Sequence, residues 1–186
     1  FVLLYILSSV GDFVDGIAAR RLNQCSRFGE MLDVVVDNFS RTLASVLVVS
    51  GSPKLALPLS ILVCVEWLTF ACTHASAAVA RTNWKSQHAS DAEQPALLAA
   101  IFKNGFKNPV GAVVIGGIFF FPLSAYVCLM YVFGVSTPGV PGAVCWGVGA
   151  TLVVGKALGL WAELWVVSQY VGTVVREDQA NHDKAQ

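Results

Sequence analysis

Five long apolar stretches, separated by shorter polar segments, dominate the pattern of this chain. A helix that crosses a bilayer needs roughly 20 mostly apolar residues, and each stretch reaches about that length. We therefore predict an all-α fold, a polytopic bundle of transmembrane helices. The predicted spans run from about Phe1 to Arg20, Gly29 to Val49, Leu55 to Ala80, Pro109 to Phe133 and Val144 to Val167, the last continuing toward Val175.

The polar segments predict the rest of the organisation. Between the third and fourth spans, a short apolar patch from Ala96 to Phe102 predicts an amphipathic helix in the membrane interface. The last segment, from Arg176 to Gln186, is polar and predicts a frayed cytoplasmic tail. The expected transmembrane domain is therefore residues 1–175, followed by a tail of residues 176–186.

Composition and charge agree with a membrane environment. Of the 186 residues, 55% are hydrophobic and 13% are charged, whereas soluble domains carry about 25% charged residues. Membrane lipids are thus the expected surroundings. The formal net charge is zero, so no overall field attracts a nucleic acid, and we expect no nucleic-acid partner.

The distribution of basic residues predicts the orientation. One set of helix ends carries only Lys54, and the positive-inside rule therefore places the opposite, basic set of ends in the cytoplasm. That basic set comprises Arg20, Arg21, Arg27, Arg81, Lys85, Lys103, Lys107, Arg176 and Lys184.

Four aspartates lie within the first two predicted spans, where acidic residues are costly. Asp12 and Asp15 are three residues apart, and Asp33 and Asp37 are four apart, so each pair shares one helix face. The short linker lets the two faces meet near the cytoplasmic ends. Converging carboxylates repel each other, and divalent cations with oxygen ligands, Mg²⁺ or Mn²⁺, relieve that repulsion. The simpler alternative is that the aspartates pair with nearby arginines for structural reasons.

The same residues resemble the signature of the CDP-alcohol phosphotransferase family. All eight fixed positions of that signature are present without a gap, and they are Asp12, Asp15, Gly16, Ala19, Arg20, Gly29, Asp33 and Asp37. The family has six helices, so the resemblance implies one helix more than the five spans seen here. It also implies a homodimer as the expected assembly.

The resemblance implies a reaction in which a CDP-linked lipid, CDP-diacylglycerol, gives its phosphatidyl group to an alcohol and CMP is released. It implies that Asp37 is the general base and that two metal ions, Mg²⁺ or Mn²⁺, are held by Asp12, Asp15, Asp33 and Asp37. The implied CDP-binding residues are Asp12, Asp15, Gly16, Ala19, Arg20, Gly29 and Asp33. A carboxylate base suits this chemistry because an alcohol is a poor nucleophile at neutral pH.

Within the family, the chain is most similar to the eukaryotic branch that transfers to inositol, the phosphatidylinositol synthases. The similarity lies in Asn23-Gln24, Ser26 and Phe28-Gly29. Where we expect an arginine after the last aspartate, the chain has Asn38, and Arg41 one turn further on is the candidate replacement. For a eukaryotic protein of this branch, the endoplasmic reticulum membrane is the expected location.

Further charged residues within the spans are candidates for contact with the acceptor. Arg41, Glu66 and Lys156 form this candidate acceptor-binding set. Glu163, also within a span, is expected either to pair with a cation or to face a cavity. His74 is expected to be a packed or interfacial histidine.

Two alternative functions remain open at this point. The same chemistry could use another acceptor, such as glycerol phosphate, serine, choline or ethanolamine. A divalent-metal transporter is the alternative of a different class, but it predicts polar residues continuing across the bilayer. The second span is apolar from Leu43 to Val49, which disfavours such a path.

Overall fold

The computed structural model describes residues 2–22, 24, 26–80, 94–132 and 142–185. These residues form helices and no strand. The helices are α1 (Val2–Arg21), α2 (Arg27–Gly51), α3 (Ala56–Ala80), α4 (Ala96–Phe102), α5 (Pro109–Val132) and α6 (Gly142–Ala185), with a 3₁₀ turn at Pro53–Leu55 before α3. Arg81 and Lys85, predicted on the basic face, lie outside the described residues.

Each of the five predicted spans is a helix, and the ends lie close to those expected except at the C-terminus of α6. Within the described residues, three helical segments are long and apolar enough to cross a membrane, namely Pro53–Ala78, Pro109–Cys128 and Gly147–Lys184. The helices that carry the aspartates, α1 and α2, are the other two. With 25 residues, α2 is about 37 Å long and exceeds the roughly 30 Å hydrocarbon core of a bilayer.

The prediction of a frayed tail is wrong, because α6 continues as a helix to Ala185. The segment after Arg176 contains neither glycine nor proline, and its alanines, glutamate, glutamine and lysine are good helix formers. Residues 177–184 of this segment are exposed. Since α6 has 44 residues, about 66 Å of helix, it extends well beyond the hydrocarbon core.

Glycines bring the backbones of α5 and α6 into direct contact. A Cβ atom on Gly117 would lie 2.6 Å from the Cα of Gly155, and one on Gly155 would overlap the carbonyl oxygen of Val113. Small residues permit this close approach in membrane bundles. One turn further on, Gly159 receives the side chain of Ile118. The two helices are thus closely packed at Gly155 and Gly159, and this packing fixes the position of Lys156, which follows Gly155.

The short helix α4 occupies the predicted bounds and packs against the bundle. Leu98 and Ile101 are fully buried and Phe102 is 8% exposed, and they form one cluster with Val114 of α5 and with Ala162 and Val166 of α6. The apolar face of this amphipathic helix therefore covers the neighbouring helices, while Leu97 on the other face is exposed.

The first helix is attached to the bundle through Tyr5. Its hydroxyl donates a 2.6 Å hydrogen bond to the carbonyl oxygen of Phe119 in α5. Its ring belongs to a buried cluster with Ala44 of α2 and Leu123 of α5. These contacts hold the helix that carries Asp12 and Asp15 beside the helix that carries Asp33 and Asp37.

We predict that Gly155→Ala destabilises the bundle, because the added methyl group forces α5 and α6 apart. Overpacking of this kind costs typically about 1–3 kcal/mol. Gly172→Ala is the matched control on the same helix, since nothing lies within 4 Å of an added Cβ there, and replacing a glycine inside a helix by alanine stabilises by up to about 1 kcal/mol. Thermal unfolding in detergent measures both changes. Equal melting temperatures for the two variants would contradict the close contact.

Candidate functional site

A cavity of about 460 Å³ lies among α2, α3, α5, α6 and the loop before α5. Along α3, its lining extends from Glu66 to His74, about 12 Å of helix axis. Along α2, it includes Asp37, Asn38 and Arg41. Such a cavity, mostly apolar with a few convergent polar groups, is typical of a small-molecule site.

On α2, polar residues follow one another at intervals of four. Asp33, Asp37 and Arg41 are successive positions on one face, each about 6 Å further along the axis. Asp33 is exposed, Asp37 is half-buried and lines the cavity, and Arg41 is buried. Along this face, the side chains therefore change from an exposed carboxylate at Asp33 to a buried cation at Arg41.

The N-terminus of α2 is fixed by Ser26. Its hydroxyl oxygen accepts a 3.0 Å hydrogen bond from the backbone N–H of Gly29, the arrangement of a helix N-cap. A Cβ on Gly29 would lie 3.2 Å from the same oxygen. Gly29, predicted to allow close approach of a ligand, also leaves room for this cap, and Ser26 thus has a structural role beyond the family resemblance.

Arg41 is held on three sides. Its Nε donates a 3.0 Å hydrogen bond to Glu66 Oε2, and its Nη2 donates to Asn38 Oδ1. Its guanidinium carbon lies 4.9 Å from the centroid of the Phe119 ring, a cation–π contact. Asn38, where an arginine is expected, thus orients the arginine one turn further on.

Glu66 joins three helices through its two carboxylate oxygens. Oε2 accepts from Arg41 of α2, and Oε1 accepts from Nζ of Lys156 in α6. Lys156 Nζ also lies 4.0 Å from Glu163 Oε2. We call these four residues, Arg41, Glu66, Lys156 and Glu163, the ion network. The network holds two positive and two negative side chains, so its charges balance.

Three polar atoms beside this network are buried without a hydrogen-bond partner in the part of the chain that the structure describes. They are Asn38 Nδ2, Thr69 Oγ1 and Glu163 Oε2. All three residues line the cavity. Leaving a buried polar group unpaired costs about 1–3 kcal/mol. A ligand with hydroxyl groups in the cavity could satisfy these groups.

A rigid loop forms the rim of the cavity. Residues 104–106 are all left-handed, with φ of 55°, 62° and 68°, a conformation that costs energy for Phe106. Asn108 stabilises the loop, because its Nδ2 donates to the carbonyl oxygens of Ile101 (3.2 Å) and Lys103 (2.8 Å). A Cβ on Gly111 would lie 2.6 Å from the Phe106 carbonyl oxygen. The loop places exposed Lys107 at the cavity.

Of the four predicted metal ligands, only the side chains of Asp33 and Asp37 belong to the described part of the structure. Asp33 and Asp37 share a face of α2 and offer carboxylate oxygens, the donors that Mg²⁺ and Mn²⁺ prefer. Asp12, Asp15, Gly16, Ala19 and Arg20 all lie on α1, but apart from Ala19 their side chains and surroundings are outside the described part. Among the described side chains, no group of three or more His, Cys, Asp or Glu is placed to hold a metal. The four-aspartate site therefore stays a prediction. The donors that are described, the carboxylates of Asp33 and Asp37, are of the kind that Mg²⁺ or Mn²⁺ binds.

The structure brings the three candidate acceptor residues together, because Glu66 is bonded to both Arg41 and Lys156. Arg41 and Glu66 line the cavity, whereas Lys156 supports them from behind. His74 packs on Phe70, with ring centroids 4.2 Å apart, as expected, and also lines the cavity. Sequence reasoning missed Thr69, although it lies three residues after Glu66 on the same face and that spacing was available as a signal.

The fold and site define a membrane-embedded helical bundle with a mostly apolar cavity, into which a few charged and polar side chains converge, between its helices. The family model for CDP-alcohol phosphatidyltransferase matches residues 1–138 of the chain. This chain belongs to the CDP-alcohol phosphatidyltransferase family.

Individual relatives match over shorter stretches. The CDP-diacylglycerol–inositol 3-phosphatidyltransferase of Schizosaccharomyces pombe is 34% identical over 64 residues, which are 34% of this chain and 27% of that protein. Two CDP-diacylglycerol–glycerol-3-phosphate 3-phosphatidyltransferases also match, that of Cereibacter sphaeroides (40% over 62 residues, 32% of this chain and 28% of that protein) and that of Escherichia coli (46% over 46 residues, 25% of each). The matched stretch thus covers about a quarter of each relative. No solved structure matches this chain.

We predict that Glu66→Gln destabilises the protein strongly, because it leaves Arg41 and Lys156 buried without their shared counter-charge. Breaking a buried ion pair by removing one partner costs about 3–5 kcal/mol. Glu177→Gln is the matched control, since Glu177 is exposed on α6 and such a change stays within about 0.5 kcal/mol. Thermal unfolding in detergent gives both values, and an unchanged melting temperature for Glu66→Gln would show that the network does not hold the helices.

Proposed function

We propose that the protein transfers the phosphatidyl group of CDP-diacylglycerol to the hydroxyl of an alcohol, with myo-inositol as the leading acceptor, and releases CMP. Membership of the family supports the reaction class. The observation that carries the proposal is that Asp37, the last aspartate of the signature, lines a cavity large enough for a small polyol.

In this proposal, Asp37 accepts the proton of the acceptor hydroxyl. The hydroxyl oxygen then bonds to the phosphorus that carries the diacylglycerol, and the bond from that phosphorus to the oxygen of CMP breaks. A positioned general base contributes typically about 10²–10⁴-fold to such a step. The cavity would hold the acceptor against Asp37.

Asp12, Asp15, Asp33 and Asp37 would hold the divalent ions, and Gly16, Ala19, Arg20 and Gly29 would frame the CDP group. Bound Mg²⁺ or Mn²⁺ supplies positive charge that neutralises the pyrophosphate oxygens and stabilises the leaving CMP. We place this site at the cytoplasmic side, because Arg21, Lys103 and Lys107 lie at the same ends of the helices. For a eukaryotic source, we propose the endoplasmic reticulum membrane.

Other acceptors remain alternatives, since relatives named for both inositol and glycerol 3-phosphate match the chain. The transporter hypothesis has less support. Beyond Arg41, the buried residues of α2 are Ala44, Ser45 and Val48, and none of them carries a charge that could pass a metal ion onward.

We predict that Asp37→Asn lowers the rate of CMP release about 100-fold or more, because the amide cannot accept the acceptor proton. The assay supplies CDP-diacylglycerol, Mg²⁺ or Mn²⁺, and a panel of alcohols to the full-length protein in detergent. Asp178→Asn is the control, since Asp178 is exposed on the distal part of α6 and its loss should leave the rate unchanged.

Each outcome of this assay separates the hypotheses. Release with inositol supports the leading acceptor, and release with another alcohol keeps the reaction while replacing the acceptor. Absence of release with every alcohol, in protein shown to be folded, would overturn the proposed activity.

We also predict that removal of divalent ions with a chelator abolishes CMP release and that either Mg²⁺ or Mn²⁺ restores it. In the folded protein, Mn²⁺ should raise the melting temperature, because an ion that binds only the folded state stabilises it. Asp33→Asn should weaken that shift, and Glu177→Gln should not. A chelated protein with full activity would contradict a metal-dependent reaction.

A further inference from the structure

We propose that the balanced ion network makes the cavity selective for an uncharged polyol and against phosphorylated alcohols, with Thr69, Asn38 and Glu163 as the residues that recognise the hydroxyl groups. This inference rests on the proposed function, because it names the acceptor class of the same cavity.

The first argument concerns the cations. A phosphorylated acceptor needs positive side chains whose donors can turn toward it, typically arginine in bidentate contact. Arg41 already gives Nε to Glu66 and Nη2 to Asn38. Lys156 is bonded to Glu66 and lies 4.0 Å from Glu163. A phosphate group that drew Arg41 Nε or Lys156 Nζ to itself would break these buried pairs, and leaving one partner of a buried pair without the other is strongly destabilising.

The second argument concerns the acids. The cavity lining carries three carboxylates, Asp37, Glu66 and Glu163, against two cations, Arg41 and Lys107, so a phosphate group is repelled more than it is attracted. In the low-dielectric interior of a bilayer protein this repulsion is only weakly screened. The remaining described cation in the lining, Lys107, is exposed at the rim, away from the ion network.

The third argument concerns the unpartnered atoms. Asn38 Nδ2 is a donor, Glu163 Oε2 is an acceptor, and the Thr69 hydroxyl can be either. A hydroxyl group also acts as both donor and acceptor. When these three side chains turn toward a bound polyol, its hydroxyl groups form a hydrogen bond with each of them. An apolar alcohol would leave them unpaired, and a quaternary ammonium alcohol offers only a single hydroxyl.

The test has a binding part and a turnover part, both on the full-length protein. Equilibrium binding of radiolabelled myo-inositol and of glycerol 3-phosphate is measured first, without CDP-diacylglycerol. We expect inositol to bind at least tenfold more tightly. Glycerol 3-phosphate binding as tightly as inositol, or more tightly, would overturn the proposal.

Two variants then test the residues. Thr69→Val keeps the side-chain shape and removes the hydroxyl, so we expect KM for inositol to rise about tenfold, with KM for CDP-diacylglycerol unchanged. Thr151→Val is its control, because Thr151 is exposed on α6 and donates only to the Gly147 carbonyl oxygen. Equal KM values for inositol in the Thr69 variant and its control would overturn the role of Thr69.

Glu163→Gln tests the charge balance. It removes one negative charge while keeping hydrogen-bonding atoms, so the ion network gains a net positive charge. We expect the preference for inositol over glycerol 3-phosphate to fall about tenfold, whereas Glu177→Gln leaves it unchanged. An unchanged preference in Glu163→Gln would overturn the charge-balance argument.

The binding and turnover measurements distinguish a failure of this inference from a failure of the proposed function. Selective inositol binding without CMP release for any alcohol would overturn the transferase activity and keep the polyol site. CMP release that prefers glycerol 3-phosphate would keep the activity and overturn the polyol site.

Discussion

The buried carboxylate of Glu66 is the group on which the arrangement of this bundle depends. It accepts hydrogen bonds from Arg41 of α2 and from Lys156 of α6, so one side chain joins three helices. In a membrane interior, an unpaired charge has no water to compensate it, and the cost of separating the three is high. The helices therefore have one register in which all these charges are paired, and that register also places Asp37 beside the cavity.

The close backbone contact between α5 and α6 is a second constraint. It involves no polar side chain, and it supports the pairing of Glu66 with Lys156. The glycines at positions 117 and 155 let the backbones of α5 and α6 touch, and Lys156 follows the contact directly. The lysine is thus presented from a rigid backbone, and its ammonium group reaches Glu66 with little freedom to turn elsewhere. Asn38 performs the same function on the other side, because it fixes the guanidinium of Arg41.

Together these constraints divide the site into two regions along α2. Asp33 and Asp37 lie toward the end of the helix that begins at Arg27, where a charged donor and its ions are expected to bind. One turn deeper, the paired charges of the ion network form a neutral polar floor. In the proposed reaction, the donor binds at the carboxylates and the acceptor meets this floor, so the balance of charge in the floor is the property that we propose selects the acceptor of this chain.

The sequence by itself determined the helices and the family. Apolar length predicted the five long helices, because a bilayer requires about 20 apolar residues per helix, and a short apolar patch predicted α4. The resemblance of the eight signature positions to a known pattern predicted the family. The continuation of α6 past Arg176 was missed, since a polar segment that forms a helix and one that frays have the same low hydropathy. The tertiary structure alone decided that Arg41, Glu66, Lys156 and Glu163 form one network and that Thr69 lies beside it. Glu66 and Lys156 are 90 residues apart, and no local pattern reveals a contact between helices that only close backbone packing brings together.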